Sequence, residues 1–235
     1  MKKILYSVAL ATCCMGTMTS CSDFLDASNK SNVTAKQSFA TKEGLNNLVN
    51  NAYQHLQNVY AAPLFTSCFS AGTDMYADAR NKMNEALNTY ETLTPENTDI
   101  KNLYTYLYSG IRAANSVSYY AQTAQVDEKT KGQLVGEARV LAAYEYYLLV
   151  NNFGGVPIMK DFLTTADTGY PKSSAADVYA YIISELEDVI SKNVLQASTA
   201  TKGGGRISQE TAKAILAKTY LSAAWDLNKQ EYFSK

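Results

Sequence analysis

Apolar side chains recur along this chain at the period of a helix. Leu45, Leu48, Val49, Ala52, Leu56 and Val59 follow at the steps that line one helical face, which predicts a helix over 42–58. Thr41 stands at its N-cap, with Glu43 and Gly44 in the first turn. A second stripe, Leu103, Leu107, Ile111, Ala114, Val117 and Ala121, predicts a helix over 97–122, capped by Thr94 or Thr98 and flanked by Tyr104, Tyr108 and Tyr119. The pattern then changes. From Val140 to Val150 only Glu145 is charged, and a helix apolar nearly all round is buried on several sides. It starts near Glu128 and stops at Gly154, Gly155 and Pro157. It falls short of the roughly 20 apolar residues of a bilayer span and is rich in tyrosine, so we read it as the central helix of the fold.

Two more periodic stretches follow. Val178, Tyr181, Ile182, Leu186 and Val189 share a face behind Ser173 or Ser174, with Asp177 placed for a capping box. Ser208 would cap a helix over 209–225, in which Ala212, Ile215, Leu216, Thr219 and Ala223 lie on one side. Ala214, Ala217 and Ala224 keep its neighbouring faces small enough for another helix to approach closely. Leu227, Tyr232 and Phe233 look like the start of one more helix. The predicted fold class is all-α.

Between the first two helices, 63–93 has no clear period. Phe65, Phe69, Met75, Tyr76, Met83 and Tyr90 alternate with Asp74, Asp78, Arg80, Asn81 and Asn84. A loop this long within a compact domain is usually functional or hides short elements. Rings stack on the apolar faces of sugars and polar groups take their hydroxyls, which makes Tyr76 and Tyr90 candidate ligand contacts. The plainer alternative is a surface loop tacked down by its aromatics.

The N-terminus has a different character. Lys2 and Lys3 precede the mostly apolar stretch 4–15, and small polar residues lead to Ser20 and Cys21. This reads as a lipoprotein signal over 1–20, cleaved before an acylated Cys21, although Met18 and Thr19 depart from the usual residues there. Each buried acyl methylene is worth about 0.8 kcal/mol, so three chains would hold the protein on a membrane permanently. A plain signal peptide with an incidental cysteine is the alternative. Residues 21–40 are polar, with Asp23 and Asp26 near the start, and read as a tether ahead of a helical domain over 41–235. Cys13 and Cys14 lie in the leader, so Cys68 is the one cysteine left in the body and no intramolecular disulfide framework is available.

Composition narrows the functions. With 235 residues and a net charge of −1, the chain is long enough for a real core and lacks the basic excess of a nucleic-acid binder. Eighteen tyrosines against one tryptophan supply rings with polar tips, suited to wet surfaces and sugars as well as to helix contacts. The catalytic inventory is thin. His55 is the only histidine and has no partners for a metal, and no cofactor loop or nucleophile elbow is present. Lys202 to Arg206 lacks the spacing of a phosphate loop. Glu185, Glu187 and Asp188 sit on one amphipathic helix and read as a solvated face, not as an acid pair across a cleft. We therefore expect no catalytic residues, no metal and no cofactor.

Gly-Glu-Ala-Arg at 136–139, the aromatic helix after it, Asn-Phe-Gly-Gly-Val-Pro at 152–157 and Gly-Arg-Ile-Ser at 205–208 together resemble the RagB/SusD family. These are outer-membrane lipoproteins that capture glycans or other nutrients for a TonB-dependent, SusC-like transporter. The resemblance implies tetratricopeptide-like helical pairs with long irregular loops, a surface-exposed lipid-anchored location, and a transporter, a glycan and a membrane as partners. It implies a ligand-side aspartate near Asp74, which joins Tyr76 and Tyr90 as a candidate contact. Family members are longer, so the resemblance covers their N-terminal half and implies truncation at the C-terminus. The alternative function is a helical scaffold subunit of the transporter complex without a sugar site of its own.

Overall fold

The computed structural model describes residues 34–61, 63–76, 85–165, 169–198 and 205–235. The leader, Cys21 and most of the tether lie outside them. All regular structure among the described residues is helical. In chain order the helices are α1 (Ala35–Ser38), α2 (Lys42–Tyr60), α3 (Leu64–Phe69), α4 (Glu85–Thr89), α5 (Thr98–Ala121), α6 (Glu128–Phe153), α7 (Ala175–Lys192) and α8 (Gln209–Asp226). The five long helices match the predicted ones to within two residues where bounds were set. The predicted loop is not wholly irregular, because α3 and α4 interrupt it; both are too short to show a period. The predicted final helix is instead a 3-10 turn, Gln230–Ser234, laid back on α8 with Tyr232 against Tyr220 at 5.7 Å and Phe233 against Trp225 at 5.4 Å.

Side-chain caps set the starts. Thr41 accepts from the Gly44 amide at 3.1 Å, Asp127 from Thr130 at 2.9 Å and Ser208 from Thr211 at 3.1 Å. Ser174 and Asp177 form the full reciprocal box. The α5 cap differs from expectation. It is Asn97, whose Oδ1 accepts from the amides of Asp99 at 3.0 Å and Ile100 at 3.1 Å. Asparagine ranks above threonine at this position, and Thr98 is already the first helical residue.

The helices stack in sequence: α2 on α5, α5 on α6, α6 on α7 and α7 on α8, with α2 reaching across to α6 as well. The all-round apolar surface of α6 follows from this, since it touches α2, α5, α7 and α8. Val140, Leu141 and Leu149 on it are shielded from water, and each such side chain contributes about 1.5–3 kcal/mol relative to an exposed one. Close approach is set by small residues. A Cβ at Gly110 of α5 would lie 1.7 Å from Glu145 Oε1 of α6, and one at Gly136 would lie 2.8 Å from Val194 Cγ2. The acids of α7 also depart from a simple solvated face. Arg139 on α6 binds Glu185 at 2.7 Å and Asp188 at 2.5 Å, and Glu187 accepts from the Tyr220 hydroxyl.

Candidate functional site

The chain leaves α6 at Gly154, whose φ of 68° favours glycine. Gly155 passes so close to Ser173 that an added Cβ would lie 2.2 Å from its carbonyl oxygen. Residues 156–165 then cross α5 and α6 as a strap without regular structure. Its backbone groups have no ladder to join, so side chains from both helices serve them. The Tyr146 hydroxyl accepts from the Met159 amide at 2.7 Å and donates to its carbonyl at 3.3 Å. Tyr108 donates to the Pro157 carbonyl at 2.8 Å, and Asn115 Nδ2 to that of Met159 at 2.9 Å. Burial pushes the Tyr108 and Tyr146 hydroxyls well above the ordinary phenol range, so both remain protonated donors.

Strap and helix α5 together form three adjoining hollows with Arg112 on the wall of each. One of 460 Å³ is lined by Tyr104, Tyr108, Ser109, Pro157 and Tyr170. A second, of 370 Å³, has Asn115, Met159, Asp161 and Thr164 on its wall. The third, also 370 Å³, holds Phe39, Asn51, His55, Ser116, Tyr120 and Phe162. The rings fall in two groups: Tyr104–Tyr108 at 4.8 Å, and Phe39–Tyr120 at 4.8 Å with Tyr120–Phe162 at 5.8 Å and Tyr119–Phe162 at 5.3 Å between centroids. The Arg112 guanidinium lies 5.6 Å from the Phe162 ring centre. His55 Nδ1 is buried with no hydrogen-bond partner among the described residues, and burial lowers the imidazole pKa, so it is neutral at pH 7. Chemically this is a shelf of aromatic faces edged by amide, hydroxyl and guanidinium groups, with no nucleophile–base pair among its lining residues.

The residues singled out from the sequence stand elsewhere. Asp74 is exposed and Tyr76 half-buried. Tyr90 is 57% exposed, adopts a left-handed φ of 63°, and its hydroxyl lies 3.4 Å from the Gly72 carbonyl. None of the three lines any of these hollows. Cys21 lies outside the described residues. What the sequence reading missed is Arg112 and its surroundings. A signal was there: 104, 108, 112, 115 and 119 fall at helical spacing, so Tyr104, Tyr108, Arg112, Asn115 and Tyr119 share one side of α5.

A second polar cluster explains the sequence landmarks. Glu137, 1% exposed, binds Arg206 Nε at 2.6 Å and accepts from the Tyr53 hydroxyl and Gln133 Nε2, both at 3.1 Å. Tyr53 in turn accepts from the Ile207 amide at 2.7 Å. The Gly-Glu-Ala-Arg and Gly-Arg-Ile-Ser stretches are thus two halves of one buried staple. The SusD-like family described as "Starch-binding associating with outer membrane" matches residues 23–221. This chain belongs to the SusD-like family.

A SusD-like relative from Formosa agariphila, SusD-like protein P38, is 28% identical over 190 residues, covering 79% of this chain and 36% of that protein. The solved structure of surface glycan-binding protein A from Bacteroides uniformis is 26% identical, with a TM-score of 0.66 over 80% of this chain and 44% of its own. A SusD homolog from Bacteroides thetaiotaomicron shares the fold at 20% identity, with a TM-score of 0.71, covering 88% of this chain and 41% of its own. The chain therefore spans less than half the length of each of these SusD-like proteins. Its all-helical fold is the one the resemblance implied.

Proposed function

We propose that this chain is the helical part of a glycan-capturing lipoprotein, held on the outer membrane through Cys21 and delivering oligosaccharide to a TonB-dependent, SusC-like transporter. The observation that carries the reading is the shelf around Arg112, where two groups of rings meet amide and hydroxyl groups, the lining a sugar needs. The family description and the glycan-binding relative from Bacteroides uniformis support it. Asp74, Tyr76 and Tyr90 remain proposed contacts on a separate part of the surface. Recognition rather than bond-breaking suits the engaged state of the acids: Glu185 and Asp188 are held by Arg139, and Glu137 by Arg206. Affinity electrophoresis of the full chain against a panel of polysaccharides tests the reading. Retardation that weakens when Tyr104 and Tyr108 are both replaced by phenylalanine-free small residues such as alanine supports it; no retardation with any glycan removes it. Cys21→Ala should release the protein from outer membranes, and continued sedimentation with them would dismiss the anchor.

The second reading, a scaffold subunit without a sugar site, draws on α8. Leu221 is 53% and Trp225 72% exposed on that helix, a face suited to another protein. Co-purification with a barrel protein in the absence of any glycan affinity would favour it.

A further inference from the structure

Two of the arginines among the described residues are neutralised within the fold. Arg139 is held by Glu185 and Asp188, and Arg206 by Glu137. Arg112 differs. It is exposed, it makes no hydrogen bond or ion pair with any described residue, and its one described interaction is with the face of Phe162. It also stands where the three hollows meet. Of the described residues lining them, Asp161 is the sole acid, and it belongs to one hollow only. The 460 Å³ hollow with Tyr104, Tyr108 and Tyr170, and the hollow with Phe162, Tyr120 and His55, have a cation on the wall and no acid among their described lining residues.

A neutral sugar does not call for that arrangement. Its hydroxyls are served by groups such as Asn115, Asn51 and Ser109, which cost less to desolvate than a full charge. A guanidinium is always charged, and it offers a rigid fork of donors that matches the paired oxygens of a carboxylate or sulfate. Its guanidinium carbon lies 5.6 Å from the Phe162 ring centre, and the rings of Tyr104 and Tyr108 line the 460 Å³ hollow beside it.

We propose that the shelf takes an acidic saccharide, its ring on the Tyr104–Tyr108 floor and its anionic substituent, carboxylate or sulfate ester, on Arg112. This deepens the glycan-binding reading above and rests on it. The pair is open to solvent, so its contribution falls as salt rises.

The test compares each charged ligand with its neutral twin on the full chain by calorimetric titration. The probes are oligogalacturonate and its methyl ester, and a sulfated galactan oligosaccharide and its desulfated form. The expected result is a preference of about tenfold or more for one charged form, and Arg112→Gln should bring the ratio of charged to neutral affinity close to one, whatever it does to binding of the neutral twin. Preference for the uronate or for the sulfate says which anion the fork holds. Arg112→Lys, which keeps the charge and loses the fork, should retain only part of the preference. Equal affinity for charged and neutral twins, or a preference that survives Arg112→Gln, overturns the acidic-ligand proposal and leaves glycan binding standing. Binding to none of the four overturns both.

Discussion

Glu137 and Glu145 lie two turns apart on α6 and are 1% and 0% exposed. The first is surrounded by donors: Arg206 at 2.6 Å, Tyr53 and Gln133. The second has no hydrogen-bond partner among the described residues on either carboxyl oxygen, and burial raises its pKa well above the ordinary carboxylate value. At Glu137 the helix meets an acid by bringing a distant cation to it. At Glu145 the helix gives the acid space instead, by placing Gly110 opposite, and burial favours its protonated form. The two solutions do different structural jobs. The ion pair ties the start of α8 to α6, whereas the Gly110 contact sets how closely α5 and α6 approach.

Removing the cation should cost most. Arg206→Ala leaves Glu137 buried without its counter-ion and should lower stability by about 3–5 kcal/mol in urea unfolding. A loss under 1 kcal/mol would mean that Tyr53 and Gln133 suffice, and the contrast would dissolve. Gly110→Ala drives a methyl into the Glu145 carboxyl. Overpacking of about 1–3 kcal/mol should exceed the gain of roughly 1 kcal/mol from helix propensity. The double variant Gly110→Ala with Glu145→Ala should recover part of that loss, since the two groups occupy the same space. Simple additivity of the two changes would place the clash elsewhere.

The pH dependence is subtler. A carboxyl whose folded pKa lies above its unfolded value binds its proton more tightly in the native state. Stability from Glu145 is therefore greatest below about the ordinary value of 4.5 and declines as pH rises toward the folded pKa. Glu145→Gln keeps the shape and removes the titration, so the variant should gain on the parent in urea midpoints as pH rises above the ordinary value of 4.5. Parallel pH profiles would mean Glu145 finds a partner in solution. Arg112→Gln should be the mildest change, within about 0.5 kcal/mol of the parent, because it breaks no described contact except that with Phe162.

Much of this scaffold was legible beforehand because each long helix carries both an apolar period and a polar cap. Thr41, Asp177 and Ser208 behave as their positions suggest, and Asn97 stands where a threonine was expected because Thr98 is already helical and the Asn97 Oδ1 accepts from two backbone amides at once. The candidate site was harder to read. Tyr108 and Asn115 meet their carbonyls 49 and 44 residues away, and a side chain bound to loop backbone leaves no periodic trace. Arg139 finds Glu185 and Asp188 46 and 49 residues on, so three acids on one helix looked solvated until α6 was laid beside them. Glu145 could be seen as the lone charge in an apolar run, but the room for its carboxyl comes from a glycine in another helix.

Trp225 is the only tryptophan in the sequence, and it is mostly open to water beside Phe233 on the last helix. That makes the molecule carry its own fluorophore, stationed on α8 and lining none of the Arg112 hollows. Saccharide titrations on the shelf should leave its emission wavelength where it was, whereas a polypeptide laid over α8 should shift it to the blue. A single optical measurement can thus report separately on cargo and on partner.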